Sequence, residues 1–126
     1  MANQSSGPVI LLLEDEPMIL MELSFAVEDL GATPVTATSA EKALEAIEVA
    51  IPDAAVLDFN LGRGKTCQAV SARLETLGVP FVLHSGDLMR QGEVISKMQA
   101  EVIPKPSDSR YVAQRALALV RQDAAE

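Results

Sequence analysis

The stretch "VILLLEDE", Val9–Glu16, decides the fold: five apolar residues with no polar interruption run straight into three carboxylates. A strand with one wet face would alternate apolar and polar residues. An unbroken apolar run of this length suits a strand covered on both faces, the usual condition of a parallel sheet. The same pattern recurs in "AAVLDFNLG", Ala54–Gly62, where four apolar residues end on Asp58. Three more short runs, Thr33–Ala37, Phe81–His84 and Glu101–Ile103, complete a set of five, each followed by helical spacing.

The helices are legible in the intervals. Ile19, Leu23, Ala26, Val27 and Leu30 form one stripe, with Gly31 placed where a left-handed cap is wanted. A second helix is predicted to open on a Thr38–Glu41 capping box, to bury Ala40, Leu44, Ile47 and Ile51, and to end before Pro52. A third runs from about Thr66, with Cys67, Val70, Leu74 and Leu77 on one face and Gly78 as its stop. Val94, Ile95 and Met98 mark a weaker fourth helix. The last begins near Ser107 or Asp108 and turns Val112, Ala116, Leu119 and Val120 inward.

Five strand–helix units predict an α/β domain: a five-stranded parallel sheet in the flavodoxin-like order 2-1-3-4-5, with helices on both faces. The 126 residues suffice for one domain with its own core, placed at residues 8–122, with residues 1–7 flexible and 123–126 frayed. With 48% apolar residues but only 3% aromatic ones, the core must be aliphatic. A formal charge of −8 argues against nucleic acid and anionic bilayers, whose phosphates demand a basic footprint. The single cysteine, Cys67, excludes an internal disulfide, and no run is long enough for a signal peptide or a membrane span. A cytoplasmic location is expected.

In a doubly wound sheet, ligands sit beyond the carboxyl ends of the strands. Those ends are polar here. The first strand finishes in Glu14, Asp15 and Glu16, the third in Asp58, the fourth in His84, Ser85 and Gly86, and the fifth in Pro104 and Lys105. Carboxylates gathered at one rim repel and raise one another's pKa values unless a cation intervenes. Oxygen donors of this kind suit Mg²⁺, while Lys105 offers a point charge for an anion and Ser85 a neutral hydrogen bond.

With these residues in place, the chain resembles the receiver domain of two-component response regulators, of the stand-alone type, over about residues 8 to 121. The matching pieces are "LLLEDEP", "VLDFNLG", "LHSG" and "PKP". The resemblance implies that Asp58 is the phosphoacceptor, taking a phosphoryl group from a sensor histidine kinase or a phosphotransfer protein. It implies Mg²⁺ held by Glu14, Asp15, Asp58 and the backbone carbonyl of Asn60, with Glu14 acting mainly through water. Lys105 and Ser85 would grip the phosphoryl oxygens as the catalytic pair. Asp87, two residues past Ser85, is a candidate modulator of the lifetime of the phosphorylated state. The segment "PFVLHSGD" also resembles the strand-4 pattern of a subgroup of single-domain regulators from alphaproteobacteria.

Departures from the family pattern matter too. Val102 stands where receivers usually carry an aromatic switch residue, and Tyr111 is displaced from that place. Transmission is therefore expected through the loop after Ser85 and the fourth helix. Ser107 replaces a frequent Phe and reads as the N-cap of the last helix. The family precedent also implies a cis Lys105–Pro106 bond. No output domain follows the last helix, so signalling is expected through protein contacts or onward phosphotransfer to an unknown downstream protein. Homodimers through the fourth and last helices and the strand between them are the family's usual pairing.

Other readings compete. A degenerate receiver would dock partners without phosphorylation. An aspartyl-phosphate phosphatase would want a second Asp where Asn60 stands, so the expectation is that the chain is not an enzyme beyond its own Mg²⁺-dependent phosphorylation and autodephosphorylation. "GRGKT", Gly62–Thr66, is no phosphate-binding loop, because Phe59 occupies the place of its first glycine. Arg63 and Lys65 either solvate the loop or help an acidic partner find the site. His84 is expected to pack or hydrogen-bond at its strand end, and Cys67 to face the core.

Overall fold

The computed structural model describes residues 7–86, 98 and 100–125. Five parallel strands, β1 (Val9–Leu13), β2 (Thr33–Ala37), β3 (Ala54–Leu57), β4 (Phe81–Ser85) and β5 (Glu101–Pro104), form one sheet in the order β2-β1-β3-β4-β5. Four helices occur among the described residues: α1 (Pro17–Asp29), α2 (Ala40–Val49), α3 (Gln68–Leu77) and α4 (Ser109–Ala125). The expected class and strand order are both found.

The continuous apolar strands follow from their surroundings. Leu11, Leu13, Ala55, Leu57 and Leu83 pack with Ala43, Ile47, Val70 and Leu74 of α2 and α3 on one face. On the other, Ile10, Leu12, Ala54, Val56 and Val82 meet Leu23 and Val27 of α1 and Val112, Ala113 and Ala116 of α4. Successive side chains of a strand point to opposite faces, so only an all-apolar run satisfies both layers. Register then fixes the rim: Leu13 pairs with Leu57 and with Ala37, and Leu57 with Leu83. The residues after β1, β3 and β4 consequently emerge side by side. At the outer edge, the Thr33 amide donates to the Pro8 carbonyl at 2.8 Å, so the next residue, Pro34, turns its ring nitrogen away from β1.

Several local expectations need correction. The second helix is capped by Ser39, one residue later than the Thr38 box: Ser39 is extended, and its hydroxyl accepts the Lys42 amide at 3.2 Å. The buried face differs from the expected stripe as well. Ala43 and Ile47 are buried, Ala40 and Leu44 are only partly so, and Ile51, beyond an extended Ala50, is 58% exposed. In α1 the buried positions are Leu20, Leu23 and Val27, with Ile19 at the margin. In α4, Ala113 and Leu117 complete the buried face, while Leu119 and Val120 are half-buried.

The cap of the last helix also differs. Asp108 accepts the Arg110 amide at 3.2 Å, whereas Ser107 donates its hydroxyl back to the Pro104 carbonyl. Gly31 and Gly78 follow α1 and α3 with φ of 88° and 74°, as the stop signals require. The fourth predicted helix, through Val94 and Ile95, lies outside the described residues; of its stripe only Met98 is described, and it is buried. No described helix is long and apolar enough to cross a membrane.

The cap is directly testable. Ser39→Ala should cost about 1 kcal/mol in urea unfolding, whereas Thr38→Ala should stay within about 0.5 kcal/mol.

Candidate functional site

β1, β3 and β5 each deliver a charged group to the rim. Glu14, 1% exposed, follows β1; Asp58, 4% exposed, follows β3, and its amide donates to the Leu13 carbonyl at 2.9 Å. Each of Glu14, Asp15 and Asp58 brings a carboxylate oxygen within 4.8 Å of the other two. Lys105 reaches in from β5. Its backbone amide donates to the Ser85 carbonyl at 2.9 Å, and the Lys105–Pro106 peptide is cis, as the family pattern implied. The ammonium Nζ lies 2.9 Å from Glu14 Oε1, 3.2 Å from Asp58 Oδ2 and 3.8 Å from Glu16 Oε1.

One cation thus serves two buried anions. Burial pushes the Asp58 carboxyl up to about 8, the Glu14 charge adds to the push, and Lys105 only partly opposes it. For Lys105, burial works against the charge, but the hydrogen bond to Glu14 and the Asp58 carboxylate outweigh it, holding the ammonium above its ordinary value. Charge at this rim remains under-compensated on the positive side. An all-oxygen cluster in that state has the chemistry a divalent cation such as Mg²⁺ takes, so the residues present fit that ion.

A cleft of about 340 Å³ opens here, lined by Asp15, Glu16, Asp58, Asn60, Gly62, Gly86 and Lys105. A larger hollow of about 560 Å³ between α1 and α4, lined in part by Phe25, Asp29 and Arg110, holds none of the strand-end groups. The smaller cleft is therefore the chemically relevant one. Asn60 sits on its wall, with its side-chain oxygen accepting the Gly62 amide at 3.1 Å. Ser85 does not line it: its hydroxyl is fully buried and has no hydrogen-bond partner among the described residues. Asp87 lies outside the described residues. Glu16, Gly62 and Gly86 are rim residues that the sequence reading left without a role. For Glu16 the signal was present, since it adjoins the acidic pair.

Two further groups are settled by their surroundings. His84 is buried with neither ring nitrogen hydrogen-bonded among the described residues; burial and then the Lys105 charge push it down to about 4, so the ring is neutral. It packs, and the hydrogen bond considered for it is not found there. Cys67 faces the core just before α3, and burial followed by the Asp58 charge pushes its thiol up to about 12, leaving it protonated and unreactive.

No family model matches the chain, and no curated protein matches it by sequence. Solved structures do match. The receiver domain of NtrX from Brucella abortus superposes with a TM-score of 0.77 at 24% identity, over 89% of this chain and 98% of that one. A response regulator receiver domain from Clostridium thermocellum gives 0.80 at 17% identity, over 94% and 98%. A CheY-like receiver domain from Methylobacillus flagellatus gives 0.75 at 23% identity, over 90% and 98%. The chain has the fold of response-regulator receiver domains.

The charge imbalance predicts a sign. The folded-state pKa of Asp58 lies above its ordinary value of 3.8, so its contribution favours folding below that pH and is lost as pH rises through the folded value. Asp58→Asn should therefore raise the Tm by several degrees at neutral pH and little at pH below 4, and Mg²⁺ should stabilise the wild type more than the variant, both read by thermal melts.

Proposed function

We propose that this chain is a phosphorylatable response-regulator receiver that takes a phosphoryl group on Asp58 from a histidine kinase or a histidine phosphotransfer protein. The observation that carries this reading is the Lys105 ammonium set between the Glu14 and Asp58 carboxylates, on groups delivered by three separate strands to one open cleft. A rigid sheet holding a carboxylate nucleophile, an anion-binding cation and a cluster of oxygen donors is what in-line phosphoryl transfer asks of a protein.

In the proposed reaction an Asp58 oxygen attacks phosphorus as the phosphorus–nitrogen bond of a phosphohistidine breaks. The electron pair leaves with the imidazole, which then takes up a proton. Asp58 reacts as the carboxylate. Lys105 turns from the Asp58 oxygen to a phosphoryl oxygen, and the Ser85 hydroxyl, buried behind the cleft wall without a partner among the described residues, must swing toward the cleft to donate to another. Glu14, Asp15, Asp58 and the Asn60 carbonyl would hold Mg²⁺, which when bound offsets charge on the transferring group. Water later cleaves the acyl phosphate, and Asp87 tunes that rate. The phosphorylated form signals by contact with another protein or by passing the group on; in this reading the protein works in the cytoplasm and is not an enzyme.

The runner-up, a receiver that docks partners without phosphorylation, draws on Val102. This residue is half-buried on β5 and pairs with Leu83, in the place of the family's aromatic switch. The two readings part on one experiment. With Mg²⁺ and acetyl phosphate, wild type should gain the mass of one phosphoryl group and Asp58→Asn should not; beryllium fluoride should shift amide resonances around the cleft in wild type alone. Lys105→Ala should slow phosphorylation roughly a hundredfold. Failure of wild type to take up either group would favour the docking module.

A further inference from the structure

The loop from β3 to α3 carries a feature that the transfer chemistry above does not use. Gly62, Arg63 and Gly64 have φ of 83°, 53° and 76°, three consecutive residues in the left-handed region, and Arg63 is the only non-glycine residue with positive φ among those described. Such a conformation is unfavourable for a side chain with a Cβ and persists where the surroundings enforce it. Here they do. The Leu61 amide donates to the Lys65 carbonyl and the Lys65 amide to the Gly62 carbonyl, each at 2.9 Å, Asn60 Oδ1 accepts the Gly62 amide, and Asn60 bridges Thr66.

The result is a tight, tied-down hairpin whose first glycine forms part of the cleft wall; a Cβ on Gly62 would lie 3.6 Å from Asp15 Oδ2. Arg63 and Lys65 stand exposed on this hairpin, and neither makes an ion pair with any described residue. The rim they border carries Asp15, Glu16 and Asp58 against the single cation Lys105, on a chain of net charge −8. An incoming phosphoryl group is itself an anion and meets this field on approach. Two cations carried on the loop whose Gly62 forms part of the cleft wall lower that barrier on approach.

We infer that Arg63 and Lys65 form a cationic guide that steers the anionic phosphoryl group of the donor into the cleft beside Asp58. The guide rests on the proposed phosphorylation of Asp58 and adds to it a determinant of donor preference. It acts on encounter, before the bond to the donor's leaving group breaks, so its effect scales with donor charge and is screened by salt. The shared chemistry is the phosphoryl anion, whether carried by a small acyl phosphate or by a partner's phosphohistidine.

The test compares wild type with the double variant Arg63→Glu, Lys65→Glu at neutral pH in Mg²⁺. Acetyl phosphate, a dianion, and phosphoramidate, essentially a monoanion, serve as donors at low and high salt. The variant should lose roughly tenfold in the rate with acetyl phosphate at low salt, clearly less with phosphoramidate, and little with either at high salt. Arg63→Lys should keep the wild-type rate. Running a phosphorylated histidine phosphotransfer protein beside the small donors separates the two sources: a loss with both assigns the guide to the phosphoryl group. A loss confined to the protein donor overturns it in favour of a protein contact. Equal rates in variant and wild type overturn the guide alone, as does a loss independent of salt and donor, which would report a distorted loop. No uptake by wild type from any donor overturns the phosphoacceptor reading and the guide with it.

Discussion

The whole site depends on an unequal electrostatic bargain: two buried carboxylates, Glu14 and Asp58, share the ammonium of Lys105. In water such a cluster would be trivial. At 1% and 4% exposure neither carboxylate is open to water, and at Asp58 burial and the Glu14 charge outweigh the attraction of the single cation. The shortfall makes Asp58 a poorly stabilised anion, ready to exchange its environment for one richer in positive charge. A stability cost and a chemical readiness are the same fact viewed from two directions.

The cluster can be held in that condition because the sheet leaves it no means of relaxing. Glu14 and Asp58 extend strands locked to neighbours on both sides, and Lys105 leaves β5 from an amide fastened to the Ser85 carbonyl. Apolar layers on both faces keep those strands from sliding, since a one-residue slip would exchange the core faces. A bidentate ion pair from Arg115 of α4 to Glu101, at 2.8 Å to each oxygen, further ties the start of β5 to the helix behind it.

The parts of this arrangement that were legible in the sequence are those written in unbroken apolar runs. Val9–Leu13 and Ala54–Leu57 announced buried parallel strands, and strand order followed because few right-handed topologies place five such units. Glu14, Asp15, Asp58 and Lys105 were legible because the carboxyl ends of strands are where such folds bind ligands. What escaped was set by angles rather than residue types. Thr38 and Ser39 are equally good caps on paper, and only the backbone at Ser39 decides between them. The inward turn of Leu20 rather than Ile19 has the same origin, a rotation of the helix that tolerates either neighbour in the stripe. The seclusion of the Ser85 hydroxyl from the cleft wall could not be read either, because a residue at a strand end can face the rim or the interior.

β2 ends the sheet on one side with backbone groups that no strand among the described residues takes up, the geometry on which fibrils grow. Pro34 is the second residue of that strand, with its ring nitrogen directed outward. A strand arriving from another molecule would find a donor missing and a ring methylene in its place. Along this border the chain carries its own protection against templated polymerisation, at no loss to the pairing with β1, because the amides that β1 needs belong to the alternate residues.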